Sequence, residues 1–237
     1  MRSPPSRRES FSSLSIGIVI PVLDEAAILE PALDYLAAVA PECPVVVVDG
    51  GSRDGSAEIA RARFRTEVCS EARRGAQMNR GAACLETGVL LFLHADSRLP
   101  EGFQLHIRRT LEDARVVGGC FRLRFDLPHP VLGFYSWCTR FPGRFLHFGD
   151  QGFFLRRKVF REIGGYRDLP FLEDVDLLRR VRKYGRFALV PHPVVTSARR
   201  FRRRGIVRQQ VVNILAVALF ELGVSARRLA RLYPAVR

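Results

Sequence analysis

Asp96 follows a short apolar run, Val89-Leu90-Leu91-Phe92-Leu93, and is reached through His94-Ala95. Such a run reads as a strand buried on both faces. A carboxylate at the carboxyl end of a buried parallel strand meets the crevice where α/β proteins bind ligands. There it could hold a divalent metal and, through it, the phosphates of a nucleotide. Two more strand-like runs break into acids in the same way. Ile16-Gly17-Ile18-Val19-Ile20 leads into Pro21-Val22-Leu23-Asp24-Glu25, and Val45–Val48 leads into Asp49-Gly50-Gly51-Ser52. One acid after a strand is ordinary turn or cap chemistry. Three at equivalent strand ends, Asp24 or Glu25, Asp49 and Asp96, describe a site. A further acidic group, Glu173, Asp174 and Asp176, precedes the apolar helical positions Leu177, Leu178, Val181 and Tyr184, closed by Gly185. An acid at a helix N-terminus is held ionised by the dipole and is available as a base. The plainer alternative is that these acids only cap the helix.

The elements that must position these residues are legible in the spacing. Leu29, Leu33, Leu36 and Ala40 recur at helical intervals, with Pro31 placed in the first turn, and a helix-length stretch from Gly75 to Thr87 precedes the third strand. This strand–helix–strand alternation predicts an α/β fold with a parallel sheet and right-handed crossovers. The glycines after Asp49 permit close backbone approach and leave amide N–H groups for an anion or a base edge. Arg73-Arg74-Gly75-Ala76-Gln77-Met78-Asn79-Arg80-Gly81 sets cations and glycines around a helix start, which suits a diphosphate or equally a solvated helix entry. No Gly-x-Gly-x-x-Gly follows the first strand and no Gly-Lys-Ser/Thr phosphate loop occurs.

The order Pro-Val-Leu-Asp-Glu, Asp-Gly-Gly-Ser-x-Asp-Gly-Ser, Arg-Gly-Ala-Gln-Met-Asn-x-Gly, His-Ala-Asp and Phe-Leu-Glu-Asp-Val-Asp resembles family 2 glycosyltransferases of the GT-A fold over about residues 15–197. The resemblance implies a Rossmann-like, mostly parallel sheet flanked by helices, and inverting transfer of a sugar from a nucleotide-sugar donor to an acceptor hydroxyl. It implies Asp174, with Glu173, as the catalytic pair. Donor contacts are implied at Pro21, Leu23, Glu25, Asp49, Gly50, Gly51, Ser52, Gly75, Asn79 and His94, and acceptor contacts at Gly149, Asp150 and Gln151. Asp96 would be the ligand of Mg²⁺ or Mn²⁺. The acceptor is a small molecule or lipid-linked. A narrower likeness, carried by Phe148-Gly149-Asp150-Gln151-Gly152, Thr196-Ser197-Ala198-Arg199-Arg200-Phe201 and the Leu-Tyr-Pro ending, is to the arsenosugar-biosynthesis glycosyltransferases, also called radical-SAM/selenodomain-associated transferase 2. Two departures stand out. The family's Asn-Glu is Asp24-Glu25 here, and its Asp-x-Asp is His94-Ala95-Asp96. His94 is then a second ligand, a nucleotide contact or a neutral spacer.

Length allows one full α/β core without a second domain. Residues 1–13 read as a disordered tail rather than a signal peptide, 14–198 as the catalytic domain, and 199–237 as a basic block with C-terminal helices packed on the domain or peripheral to a membrane. Five scattered cysteines without a Cys-x-x-Cys pair fit neither a zinc site nor a disulfide framework, and point to a reducing cytoplasm. The net charge of +14 is carried almost wholly by arginine, since Lys158 and Lys183 are the only lysines. Arg199, Arg200, Arg202, Arg203 and Arg204 form its densest block. They suit donor phosphates, anionic lipid or nucleic acid, with a solvated surface as the default. Val207 to Leu222, nearly apolar all round but too short to span a bilayer, is a buried helix, a homodimer contact or an interfacial helix, with burial ranked first. Gly119 to Phe125 alternates like a half-exposed strand, and Pro128 to Phe145 reads as a long irregular aromatic connection.

Two other functions use the same features. A nucleotidyltransferase would use the same acids for a metal-nucleotide but needs no acceptor base at Asp174. A non-catalytic binder of nucleic acid or an anionic surface would use only the arginines, and the ordered acids argue against nucleic acid, because they repel a polyanion.

Overall fold

The computed structural model describes residues 14–70, 73–141 and 149–232. The expected tail at 1–13, His147, Phe148 and the final Tyr233-Pro234 lie outside the described residues. The three apolar runs form strands β1 (Ile16–Val22), β2 (Val45–Asp49) and β4 (Val89–Phe92), with β3 (Arg65–Val68) beside them. Helices α1 (Ala26–Val39), α2 (Ser56–Arg61) and α3 (Arg74–Ala83) make the crossovers. Beyond them follow β5 (Ser97–Arg98), α4 (Phe103–Thr110), β6 (Val116–Phe125), α5 (Pro130–Cys138) and a 3₁₀ turn at Gly149–Gln151. The chain continues through β7 (Phe153–Arg156), α6 (Arg157–Glu162), α7 (Glu173–Val181) and β8 (Arg186–Thr196), then α8 (Arg199–Arg204), α9 (Ile206–Glu221) and α10 (Ala226–Leu232).

The strands form one sheet in the order β3-β2-β1-β4-β7-β6-β8-β5. β1, β2, β3 and β4 run parallel. β7 opposes both β4 and β6, so β6, and β8 parallel to it, run with β4. The carboxyl ends of β1, β2, β4, β6 and β8 therefore share one edge. The start of β7, with the Gly149–Gln151 turn before it, meets the same edge. Alternate side chains of β1 part to the two faces. Ile16, Ile18 and Ile20 pack with Leu29, Leu33 and Leu36 of α1 and with Phe103 and Ile107 of α4. Val19 packs on the other face with Met78 and Ala82 of α3 and with Leu177, Leu178 and Val181 of α7. The expected α/β class and mostly parallel sheet are thus observed.

Several local expectations change. Pro31 lies inside α1 rather than in its first turn, because the helix starts already at Ala26. α3 ends at Ala83, short of Thr87, where Gly81 O and Ala82 O accept from the next amides. α7 ends at Val181, so Tyr184 is exposed rather than part of the apolar face. β6 is buried along most of its length rather than half-exposed, because it lies between β7 and β8. The stretch after Pro128 contains α5, whose Pro130 occupies the first turn and whose His129 Nδ1 accepts from Val131 N. β8 had no sequence signal, since Pro191 and Pro193 break its pattern. The sheet accommodates them in a register shift that leaves Pro191 and His192 without partners on β6.

Gly81 sets the spacing between α3 and the sheet, since a Cβ there would collide with Val19 and approach Val48 Cγ2 to 2.9 Å. Gly81→Ala should lower stability by about 1–3 kcal/mol, read as a reduced urea midpoint.

Candidate active site

The shared edge opens into a cleft of about 830 Å³. Pro21, Leu23 and Glu25 line it from the end of β1, His94 and Asp96 from the end of β4, Gly149 and Asp150 from the turn before β7, and Glu173 and Asp174 from the start of α7. Four separate segments thus bring these nine expected residues onto one cavity wall.

Asp174 sits at its centre. Its carboxylate Oδ2 accepts from Gly149 N at 3.2 Å, and Oδ1 is buried without a partner. A Cβ at position 149 would collide with that carboxylate, which is why glycine stands there. Burial pushes the Asp174 carboxyl up to about 8, with Glu173 and Asp150 adding to the shift against the opposing pull of Arg74. Burial likewise raises Asp150 to about 6, reinforced by Asp96. Glu173 pairs with Arg74 Nη1 at 3.6 Å. The residue before it, Leu172, holds a left-handed backbone (φ 62°), a costly conformation for a branched side chain.

Asp176 faces away, as expected of the next position but one on a helix. Its carboxylate is buried between Arg180 Nε at 2.7 Å and Arg167 Nη1 at 3.3 Å, so its loss would strand a nearly buried Arg180.

Arg199 ion-pairs with Glu25 and stands 3.8 Å from Asp96 Oδ2. Arg74 and Arg200 line the same cleft. Burial, then Arg74 and Arg200, hold the His94 imidazole well below its usual range, so it is neutral, and its Nε2 is buried without a partner. Among the described residues, no group of three or more His, Cys, Asp or Glu side chains is arranged to hold a metal. Asp96, on the cleft wall at the end of β4, is the carboxylate that could bind a hard cation whose remaining ligands are phosphate oxygens and water.

The glycine turn lies beside the cleft rather than on its wall. Asp49 Oδ2 accepts from Gly51 N (2.9 Å) and Ser52 N (3.0 Å), while its Oδ1 is buried and unpartnered. Gly51 has φ 90°, which suits glycine. Gly50 fits against Gln77, whose Nε2 donates to Val22 O and Val48 O and ties the ends of β1 and β2 together. Ser52 Oγ accepts from Asp24 N at 2.9 Å, which fixes the turn to the cleft rim.

Three expected residues face elsewhere. Gly75 packs against Arg167 O. Asn79 exchanges two hydrogen bonds with Tyr166 backbone, donating to its O (2.8 Å) and accepting from its N (2.9 Å). It thus supports the loop leading to Asp174. Gln151 is fully buried and accepts from Cys120 Sγ at 3.3 Å.

Residues 17–164 match the family model described as glycosyl transferase family 2. The chain belongs to glycosyl transferase family 2. No curated protein matches. Among solved structures, the mannosyltransferase PcManGT from Pyrobaculum calidifontis, in complex with GDP-Man and Mn²⁺, is 18% identical with a TM-score of 0.62, covering 93% of this chain and 68% of that one. TarS of S. aureus, residues 1–349 in complex with UDP-GlcNAc, is 13% identical with a TM-score of 0.64, covering 78% and 59%. Glucosyl-3-phosphoglycerate synthase from Mycobacterium tuberculosis, in complex with phosphoglyceric acid, is 15% identical with a TM-score of 0.60, covering 91% and 85%. The fold is therefore GT-A and the protein a family 2-like glycosyltransferase, which settles the enzyme class against a nucleotidyltransferase and a non-catalytic binder.

The raised carboxyls carry a stability consequence. A folded state that holds a proton more tightly than the unfolded chain loses stability as pH rises from the unfolded value, near 4, through the folded value. For Asp174 that window ends near 8, and for Asp150 near 6. Asp174→Asn, which removes the cost of ionising a buried acid, should stabilise the ligand-free protein at pH 8 by on the order of 1–3 kcal/mol and leave it unchanged at pH 4. Urea unfolding at the two pH values checks this.

Proposed function

We propose that this protein transfers a sugar from a nucleotide-sugar donor to an acceptor hydroxyl, with inversion, in the reducing cytosol. The observation that carries the reading is the Asp174 carboxylate, buried, one oxygen unpartnered, and facing the cleft that also holds Asp96. The nucleotide sugars bound by PcManGT and TarS support a donor of that class. The five free cysteines support the compartment. The likeness to arsenosugar-biosynthesis enzymes supports an acceptor from arsenic- or selenium-linked metabolism.

In this reading Asp49 and the Gly50-Gly51-Ser52 turn hold the base and ribose. The buried, unpartnered Asp49 Oδ1 has an acceptor position for a base N–H. Arg74, Arg199 and Arg200 offset the charge of the diphosphate. Asp96, together with the donor's phosphate oxygens, would hold Mg²⁺ or Mn²⁺. When bound, that cation supplies Lewis-acid stabilisation of the departing diphosphate. The acceptor oxygen bonds to the anomeric carbon as the bond to the diphosphate breaks, and the acceptor's proton passes to Asp174. Gly149 N holds the receiving carboxylate in place. A base with its carboxyl raised toward 8 is well matched to take a hydroxyl proton near neutral pH.

A thermal-shift panel of UDP-, GDP- and dTDP-sugars with and without Mn²⁺ identifies the donor, since ligands of the folded state raise its melting temperature. Asp96→Ala should remove the Mn²⁺-dependent part of that shift and leave the fold intact, and an undiminished metal-dependent shift would contradict the assignment.

Asp174→Asn should cost turnover roughly 10²–10⁴-fold with little change in donor affinity. Wild-type kcat/KM should rise with pH, pass half-maximum near 8, where Asp174 is half-ionised, and level off above it. A flat profile with an active Asn variant would place the base elsewhere.

A further inference from the structure

Among the described residues, α9 packs only one of its faces against the protein. Its inner face places Gln209, Asn213, Ala216 and Val217 on the cleft wall. Its outer face carries Val207, Val211, Ile214, Leu215 and Ala218, continued by Leu222, at the i, i+4, i+7, i+8, i+11 and i+15 spacing of a single stripe. These side chains are exposed: Val207 by 59%, Ile214 by 58% and Leu222 by 81%. α5, which packs with the start of α9 through Tyr135, Phe201 and Ile206, adds an exposed aromatic group. There Phe134 (65% exposed) stacks on Trp137 (49%), and Trp137 meets Phe141 edge-on at 4.8 Å between ring centroids. Apolar surface of this extent on a folded chain marks an interaction face.

The charge around it indicates the partner. Residues 199–232 contain nine arginines and one acid, Glu221, and of these arginines Arg199, Arg200, Arg204 and Arg227 line the cleft rather than the outer face. Arg140, Arg202 and Arg208 are exposed on or beside the two helices. A second copy of the chain would bring another +14 against this surface, so self-association there works against like-charge repulsion. An anionic bilayer attracts the exposed Arg140, Arg202 and Arg208 and accepts the apolar stripe and aromatic rings at its interface. No helix among the described residues is long and apolar enough to cross a membrane, so contact is lateral. We infer that the outer face of α9, with Phe134, Trp137 and Phe141 of the α5 segment, docks on an anionic lipid bilayer surface. The cleft then opens behind the docked helix, with Ala216 and Val217 between the two.

The experiment is co-sedimentation with vesicles of phosphatidylcholine alone or with about one-third phosphatidylglycerol. Trp137 is the only tryptophan, so its emission reports the contact directly. The wild-type protein should sediment with the anionic vesicles at low salt, with a blue shift of Trp137 emission, and ignore the neutral ones. Salt should weaken binding about tenfold or more. The Val211→Glu/Ile214→Glu double variant should lose vesicle binding at least about tenfold while keeping the wild-type circular dichroism spectrum and cooperative thermal unfolding, which show it folded. Failure of the wild-type protein to bind anionic vesicles, or equal binding by the double variant, overturns the inference. So does a lipid-free dimer, seen by analytical ultracentrifugation, that the double variant turns into a monomer, because the stripe would then be covered by a second copy. None of these readouts requires turnover, so they stand apart from the transferase assignment.

Discussion

The structure depends on one electrostatic constraint, the gathering of carboxylates at a single edge of the sheet. Glu25, Asp96, Asp150, Glu173 and Asp174 all face one cleft. Like charges this close cannot all remain ionised without compensation. Two kinds of compensation are visible. Arginines enter the cleft, Arg74 from the start of α3 onto Glu173 and Arg199 from the start of α8 between Glu25 and Asp96. Where the compensation stops, the acids hold their protons more tightly than ordinary carboxylates, as Asp150 and above all Asp174 do. A ligand that brings a cation or takes a proton relieves the remaining imbalance, so the cost of the ligand-free state is also the source of its chemistry.

Holding that arrangement takes backbone features with no other purpose. Leu172 keeps a left-handed conformation directly before the acidic pair, and Gly149 removes the Cβ that would strike Asp174. Asn79 clamps the Tyr166 backbone from α3, steadying the loop that delivers Phe171 to Asp174. Gln77 joins the ends of β1 and β2 beneath the rim. Local costs of this kind concentrate where geometry must be fixed against the chain's own preferences.

The parallel half of the molecule was legible because its strands are buried on both faces and read as continuous runs of Val, Leu and Ile ending in acids. Asp96, Glu25 and Asp174 followed from strand ends and a helix start. The antiparallel half was far less legible. Pro191 and Pro193 concealed β8, and with β8 hidden nothing placed Arg199 and Arg200 at a strand's end, so a basic block lining the cleft read as solvated surface. Pro130 likewise looked like a loop breaker when it was opening α5. Gly75, Asn79 and Gln151 belong to motifs that occur beside the site, but sequence order does not say which way a side chain turns. In the structure Asn79 bonds the Tyr166 backbone, Gln151 is fully buried, and Gly75 lies close against Arg167 O.

Site-resolved ¹³C NMR titration of the Asp174 carboxyl in the ligand-free protein, with the resonance identified by its loss in Asp174→Asn, tests the central claim most directly. The account predicts a midpoint near 8, far above an ordinary aspartate. A midpoint near 4 would show that Asp174 is ionised and well solvated across the neutral range, and would contradict the picture of a buried, undercompensated base.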